Sequence, residues 1–182
     1  LGSRDQIPHH ALAVYKKLNN ESFDLFFHKQ REKFNTELIS MRDTIRVLYR
    51  YKLKNKPTLT ALIADQSPVW EETQYWTDFL NQQTPVYLGP EKIASELNMA
   101  VVYFKMMPVK RGYYEIDIQM IAEDASSEPL YSITDKHLSL LEESIKNNPS
   151  YWLWTHRRWK LTRKREMEEE NGNFKFEGQF RK

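Results

Sequence analysis

Ten consecutive residues, Tyr151–Lys160 (Tyr-Trp-Leu-Trp-Thr-His-Arg-Arg-Trp-Lys), hold three of the five tryptophans of this 182-residue chain, together with a histidine and three cations. Indole prefers an apolar-to-wet boundary, and guanidinium grips a phosphate through a planar fork. This composition therefore suits a surface that meets something both greasy and anionic. Trp154, His156, Arg157, Arg158 and Lys160 are its candidate contacts. The same residues equally suit a C-terminal helix whose tryptophans plug a core while the arginines face water. Two further positions could carry chemistry. Asp65 and Gln66 end an apolar run, Leu59–Ala64, and ligands of open α/β sheets gather outside the carboxyl ends of strands. The alternative there is an Asp that merely caps the following loop. Arg31 lies four residues after Phe27, close to the expected buried face of a helix, where a cation serves more than solubility.

Other chemistries are excluded or unsupported. The net charge of +2 arises from 27 basic and 25 acidic side chains, so the whole molecule is not an electrostatic magnet and any basic surface must be local. No cysteine is present, which removes disulfides and thiolate nucleophiles. The five histidines show no HExxH or comparable ligand spacing, so no metal site is expected. There is no phosphate-binding glycine loop, dinucleotide fingerprint or nucleophile elbow. No apolar run approaches the roughly 20 residues that a membrane-spanning helix needs.

The elements that must position these residues follow from periodicity. Ala11–Lys16 reads as a strand, and Asn20 then caps a helix whose Phe23, Phe26, Phe27 and Phe34 form a stripe expected to lie on a core. Glu37–Met41 is a weak strand. Arg42–Asn55 is a basic amphipathic helix with Ile45, Leu48 and Tyr49 on its apolar side, stopped before Pro57. Leu59–Asp65 reads as a strand buried on both faces. Ser67–Gln83 is polar and aromatic with an extended Tyr75–Leu80 piece, and Pro90 opens a helix over Glu91–Met99. Ala100–Met107 reads as an interior strand. Tyr114, Ile116, Ile118 and Met120 alternate with polar residues in a partner strand with one wet face. A helix carrying Leu138, Leu141 and Ile145 inward precedes Asn148-Pro149. The sum is an α/β fold: a single domain with a mixed, mostly parallel central sheet flanked by helices, and a C-terminal antiparallel hairpin. Residues 1–165 form this domain, and 166–182 form a charged, flexible tail.

Several pieces stand in a recognisable order: Val14-Tyr15-Lys16 before an Asn-rich turn, Arg31 late in the next helix, Ile63-Ala64-Asp65-Gln66, Phe79 followed by Thr84-Pro85, the Gly89–Leu97 helix, and above all Tyr151–Lys160. Over about Ala13 to Lys160 the chain resembles the C-terminal two-thirds of the bacterial lipid A biosynthesis acyltransferases of the lysophospholipid acyltransferase-like group. The resemblance implies transfer of a fatty acyl chain from a thioester carrier, usually acyl carrier protein, to a hydroxyl of a lipid A precursor or related glycolipid. It places that reaction at the cytoplasmic face of the inner membrane of a Gram-negative bacterium and calls for no cofactor. It further implies supporting or substrate-binding roles for Arg31, Asp65 and Gln66, and a histidine base in a His-x4-Asp/Glu motif.

That motif is the point of departure. Five residues after His9 and His10 stand Val14 and Tyr15; His137 and Glu142 satisfy the spacing but point about 140° apart on a helix. With Leu1 first and no signal pattern following, the chain is read as an N-terminally incomplete acyltransferase portion, inactive alone. The alternative is an anionic-surface or nucleic-acid binding module built on the Trp/Arg segment. Glu166, Glu168, Glu169 and Glu170 partly cancel that patch, so nucleic acid is not expected as a partner.

Overall fold

The computed structural model describes residues 8–32, 36–170, 172 and 179–180. The chain divides into two compact units, residues 1–63 and 64–182. In the first, β1 (His10–Tyr15) lies between β2 (Glu37–Ser40) and β3 (Thr58–Ala61), and both pairings are parallel. Parallel neighbours need long crossovers, supplied here by α1 (Glu21–Glu32) and α2 (Thr44–Leu53). Asn20 Oδ1 accepts from Phe23 N at 3.1 Å, the N-terminal cap that the sequence calls for. Leu12, Ile39, Val47 and Leu48 are the buried apolar side chains of this unit, and Thr44 is buried as well.

Three expectations change in this unit. Phe23, Phe26 and Phe27 of α1 are exposed rather than laid on a core, and Phe34 lies outside the described residues. In α2 the inward residues are Thr44, Val47 and Leu48, whereas Ile45 and Tyr49 point outward. β3 is four residues long and only partly buried, because it is an edge of the three-stranded sheet rather than its centre.

The second unit begins its regular structure with β4 (Tyr75–Phe79) and β5 (Gln82–Val86), an antiparallel hairpin. Its two-residue turn places Leu80 and Asn81 at φ 51° and 60°, the left-handed pair that matches strand twist. β5 is not foreseen by the sequence, whose Gln82, Gln83 and Pro85 argue against a strand. Proline is tolerated because β5 is an edge of the β5–β4–β8 sheet, where β8 (Gln179–Phe180) runs parallel to β4. Trp76 and Phe79 are 0% exposed, each contributing roughly 1.5–3 kcal/mol relative to exposure. Helix α3 (Gly89–Leu97) has Pro90 in its first turn and ends at Asn98, which takes the left-handed cap conformation.

The long hairpin of β6 (Val101–Lys110) and β7 (Tyr113–Ala122) turns at Gly112, φ 81°. Helix α4 (Ser132–Asn147) packs on both of its strands. Leu138, Leu141 and Ile145 face inward as expected, joining Tyr75, Phe79 and Val86. Glu91, itself buried, accepts from Tyr131 N and Thr134 N at 2.6 and 2.9 Å and so satisfies the donors at the start of α4. α5 (Lys160–Glu170) closes the described helices; of the charged stretch beyond it, Gly172 and Gln179–Phe180 are among the described residues. The α/β class, the parallel sheet and the antiparallel hairpin are thus present, with the strands grouped in three sheets.

Candidate functional site

Asp65 and Gln66 form a bend just after β3, with Asp65 half-buried and Gln66 exposed. The next amide, Ser67 N, donates to His156 Nε2 at 3.1 Å across 89 residues of sequence. With Nε2 accepting there, the ring proton of His156 stands on Nδ1. A run of tight turns fixes that ring: His156 N donates to Leu153 O at 3.0 Å, and Arg158 N donates to His156 O at 2.8 Å.

Arg158 departs from its expected place on a membrane-facing or phosphate-binding surface. It is 1% exposed, Nη1 donates to Pro85 O at 2.9 Å, and the guanidinium stands 5.8 Å from the centre of the Phe79 ring. Among the described residues its Nε and Nη2 meet no acceptor. Burial pushes its pKa down to about 10, with the Asp65 carboxylate opposing the fall, so it remains charged at neutral pH. His137, on α4, completes the group. Burial pushes its pKa below the usual value of 6.5; Asp65 opposes this and Arg158 adds to it. Its ring meets the edge of Tyr103, 5.7 Å between centres. The half-buried Asp65 carboxylate, the buried Arg158 guanidinium and the partly buried His137 imidazole thus influence one another electrostatically, Arg158 being the member fully removed from water. Charge near the buried guanidinium is felt more strongly than in bulk water, which favours stabilising a developing oxyanion or holding a phosphate.

The remaining positions divide by environment. Trp154, Arg157 and Lys160 are exposed, with Trp154 Nε1 donating to Pro149 O at 2.6 Å. Trp152 and Trp159 pack on Phe79, and Trp159 Nε1 donates to Thr84 Oγ1 at 2.8 Å. The Trp-rich segment is thus half plug and half surface, and its cationic patch lacks Arg158. Arg31 sits in the last turn of α1, in the first unit, exposed and 5.9 Å from the Phe27 ring centre. Gln66 is brought to the bend but not into the buried group.

His137 is the member that sequence reasoning missed. Its spacing to Glu142 carries no pairing: Glu142 accepts from Leu80 N at 3.3 Å and pairs with Lys146 at 2.6 Å. Its relation to Asp65 spans 72 residues and leaves no local signal. The first unit also holds a polar cluster unseen in the sequence. His10 Nε2 lies 2.7 Å from Glu37 Oε2, and Tyr51 Oη donates to the same oxygen at 2.5 Å. Burial raises the pKa of Glu37, but the bonds from Tyr51 and His10 outweigh it and hold the carboxyl below its usual range. This cluster ties β1, β2 and α2 together at its edge.

Among the described residues no group of His, Asp or Glu could hold a metal ion, and no helix is long and apolar enough to cross a membrane. Residues 6–161, which include Arg31, Asp65, His137, His156 and Arg158, match the family described as "Bacterial lipid A biosynthesis acyltransferase". No curated protein matches the chain.

Proposed function

This chain belongs to the bacterial lipid A biosynthesis acyltransferase family, and from that premise we propose that it is a portion of an enzyme acylating a lipid A precursor or related glycolipid. The donor in this reading is a fatty acyl thioester of acyl carrier protein. The acceptor is a hydroxyl presented at the cytoplasmic face of the inner membrane of a Gram-negative bacterium. The acceptor O–H gives its proton to a general base and its oxygen bonds to the thioester carbonyl carbon. The C–S bond then breaks, and the leaving thiolate takes up a proton. These steps balance without a metal or organic cofactor.

The base is assigned to a His-x4-Asp/Glu pair supplied by residues other than these 182, because here the one such spacing, His137 to Glu142, is split between different partners on α4. The chain alone is accordingly inactive. Arg31 is assigned to a substrate phosphate or to developing negative charge, and Asp65, with Gln66 beside it, to orienting groups around the acceptor. Trp154, His156, Arg157 and Lys160 are assigned to the membrane or a lipid phosphate. The observation that supports this reading best is that, inside the family match, the bend at Asp65–Gln66 is held to the Trp-rich segment by the 3.1 Å bond from Ser67 N to His156 Nε2, two residues before the buried Arg158.

The test is acyl transfer by the enzyme that includes the base, with acyl carrier protein thioester and a labelled precursor. Arg31→Ala and Asp65→Ala each lower turnover about a hundredfold, the scale of losing one preorganised electrostatic contact, at an unchanged melting temperature. Unchanged turnover removes both assignments. Transfer by the 182-residue chain unaided removes the assignment of the base.

A further inference from the structure

We propose that the outward face of α2 is a docking surface for an anionic lipid bilayer. The inference builds on the reading of this protein as one that works at a membrane, and it names a surface in the first unit that the Trp-rich segment does not include. The helix has two apolar rows. Thr44, Val47 and Leu48 point into the unit and are buried. The second row, Ile45, Tyr49 and Leu53, recurs every fourth residue on another side of the helix, with Met41 in the 3-10 turn just before it, and these side chains are 45, 53, 68 and 43% exposed. From Ile45 to Leu53, at about 1.5 Å per residue, the row is roughly 12 Å long.

Charge decides what such a strip fits. Met41–Lys56 contains Arg42, Arg46, Arg50, Lys52, Lys54 and Lys56 against the single carboxylate of Asp43, in a chain whose net charge is only +2. Arg46 and Arg50 run along one side of the apolar row, while Arg42 and Lys52 stand near its two ends; all four are exposed. Arg46 pairs with Asp43 at 2.6 Å, but both groups are largely in water, where such a pair holds weakly. A straight apolar strip bordered by long cationic side chains matches a lipid surface. The strip sinks to the acyl boundary, Tyr49 sits at headgroup depth, and the cations reach back to phosphates. An acidic protein partner would satisfy the charges but would have to cover four apolar side chains in a single line.

Co-sedimentation with vesicles tests this. The protein is expected to pellet with vesicles of phosphatidylethanolamine containing one-third phosphatidylglycerol and to stay in the supernatant with pure phosphatidylcholine. Arg42→Gln/Arg46→Gln is expected to weaken partitioning about thirtyfold, the loss of two cations at a lipid surface. Tyr49→Ser/Leu53→Ser is expected to weaken it by a similar factor and to leave a residual binding that 0.5 M salt abolishes, on the order of a Debye length of 4 Å. Equal partitioning of wild type and variants, or equal binding to neutral vesicles, overturns the proposal. So does absence of vesicle binding accompanied by α2-dependent binding of purified acyl carrier protein, which would assign the face to an acidic protein instead. Transfer to a detergent-dispersed acceptor separates this inference from the proposed chemistry. Made in the enzyme that includes the base, variants that lose vesicle binding but keep that activity implicate the surface alone, whereas an inactive wild-type enzyme in detergent faults the reaction and leaves the vesicle result standing.

Discussion

The two hairpins of the second unit start from comparable material and end in opposite environments. In β4–β5, Tyr75, Trp76, Phe79, Thr84, Pro85 and Val86 are all buried. In β6–β7, Phe104, Met106, Tyr114, Ile116, Ile118 and Met120 form one continuous apolar face, since Phe104 pairs with Ile118 and Met106 with Ile116, and that face is exposed. The difference is made by chain that comes later. Arg158, Trp159 and Thr162 bond in turn to Pro85 O, Thr84 Oγ1 and Gln83 O, stitching the C-terminal segment along β5. Helix α4 covers the other face of β6–β7, where Tyr103 Oη donates to Ser144 Oγ at 3.2 Å and Lys105 pairs with Glu143 at 3.7 Å. Burial of a strand is thus set by what returns to cover it rather than by its own alternation.

If that contrast is energetic, truncation should cost most under the stitched hairpin. Phe79 is 0% exposed, packs on Trp152 and Trp159, and faces the Arg158 guanidinium. Phe79→Ala is expected to lower unfolding free energy by about 3–5 kcal/mol, the range for removing a buried aromatic ring. Urea denaturation measures it. A loss below about 1 kcal/mol would mean that the C-terminal segment does not close on β4–β5 in solution, and the distinction between the hairpins would fail.

The sequence reveals the elements far better than their coverings. Period-two and helical spacing locate β1, β6, β7, α1, α3 and α4 because those signals are local. β5 escapes because Gln82, Gln83 and Pro85 lack strand character, and its pairing is imposed by the turn at Leu80-Asn81 and by the edge position. The alternation of Tyr114–Met120 establishes that the strand has two unlike faces but not which one is covered, and here it is the polar-bearing face that meets α4. The phenylalanines of α1 mislead in the same way. At the candidate site, Asp65 is legible as a carboxylate at a strand end. The burial of Arg158 is not, because arginine is almost never fully buried unless paired, and what buries it is the returning segment on β5. His156 reaches the Asp65–Ser67 loop through a hydrogen bond distant in sequence, and His137 feels the Asp65 charge across 72 residues, neither of which a local pattern encodes.

An intermediate effect is expected where α4 meets β6. His137 is held neutral mainly by burial, so its folded-state pKa lies below the 6.5 of the unfolded chain. The unfolded state takes up the proton first as pH falls. Its contribution to stability is therefore complete above pH 6.5 and is lost progressively as pH drops below 6.5 towards the folded value. Thermal unfolding of wild type and His137→Gln at pH 7.5 and at pH 5.5 isolates it. The wild type is expected to lose more stability than the variant between these values, and parallel losses would place His137 in water, against its burial beside Tyr103.

The smallest effect should come from the bare face of the long hairpin. Ile116 is 51% exposed and touches its neighbours across the strand pair rather than a covering layer. Ile116→Thr keeps the β-branched shape that strands favour and adds a hydroxyl that water can satisfy. Its expected cost is within about 0.5 kcal/mol, as for a surface position. That figure is the sharpest check on the comparison, because a cavity or an unsatisfied hydroxyl arises only if something covers the site. A loss above about 1 kcal/mol, especially one that grows with protein concentration, would mean that Ile116 is buried in solution by another molecule. The two hairpins would then differ in which chain supplies the cover, and not in whether they are covered.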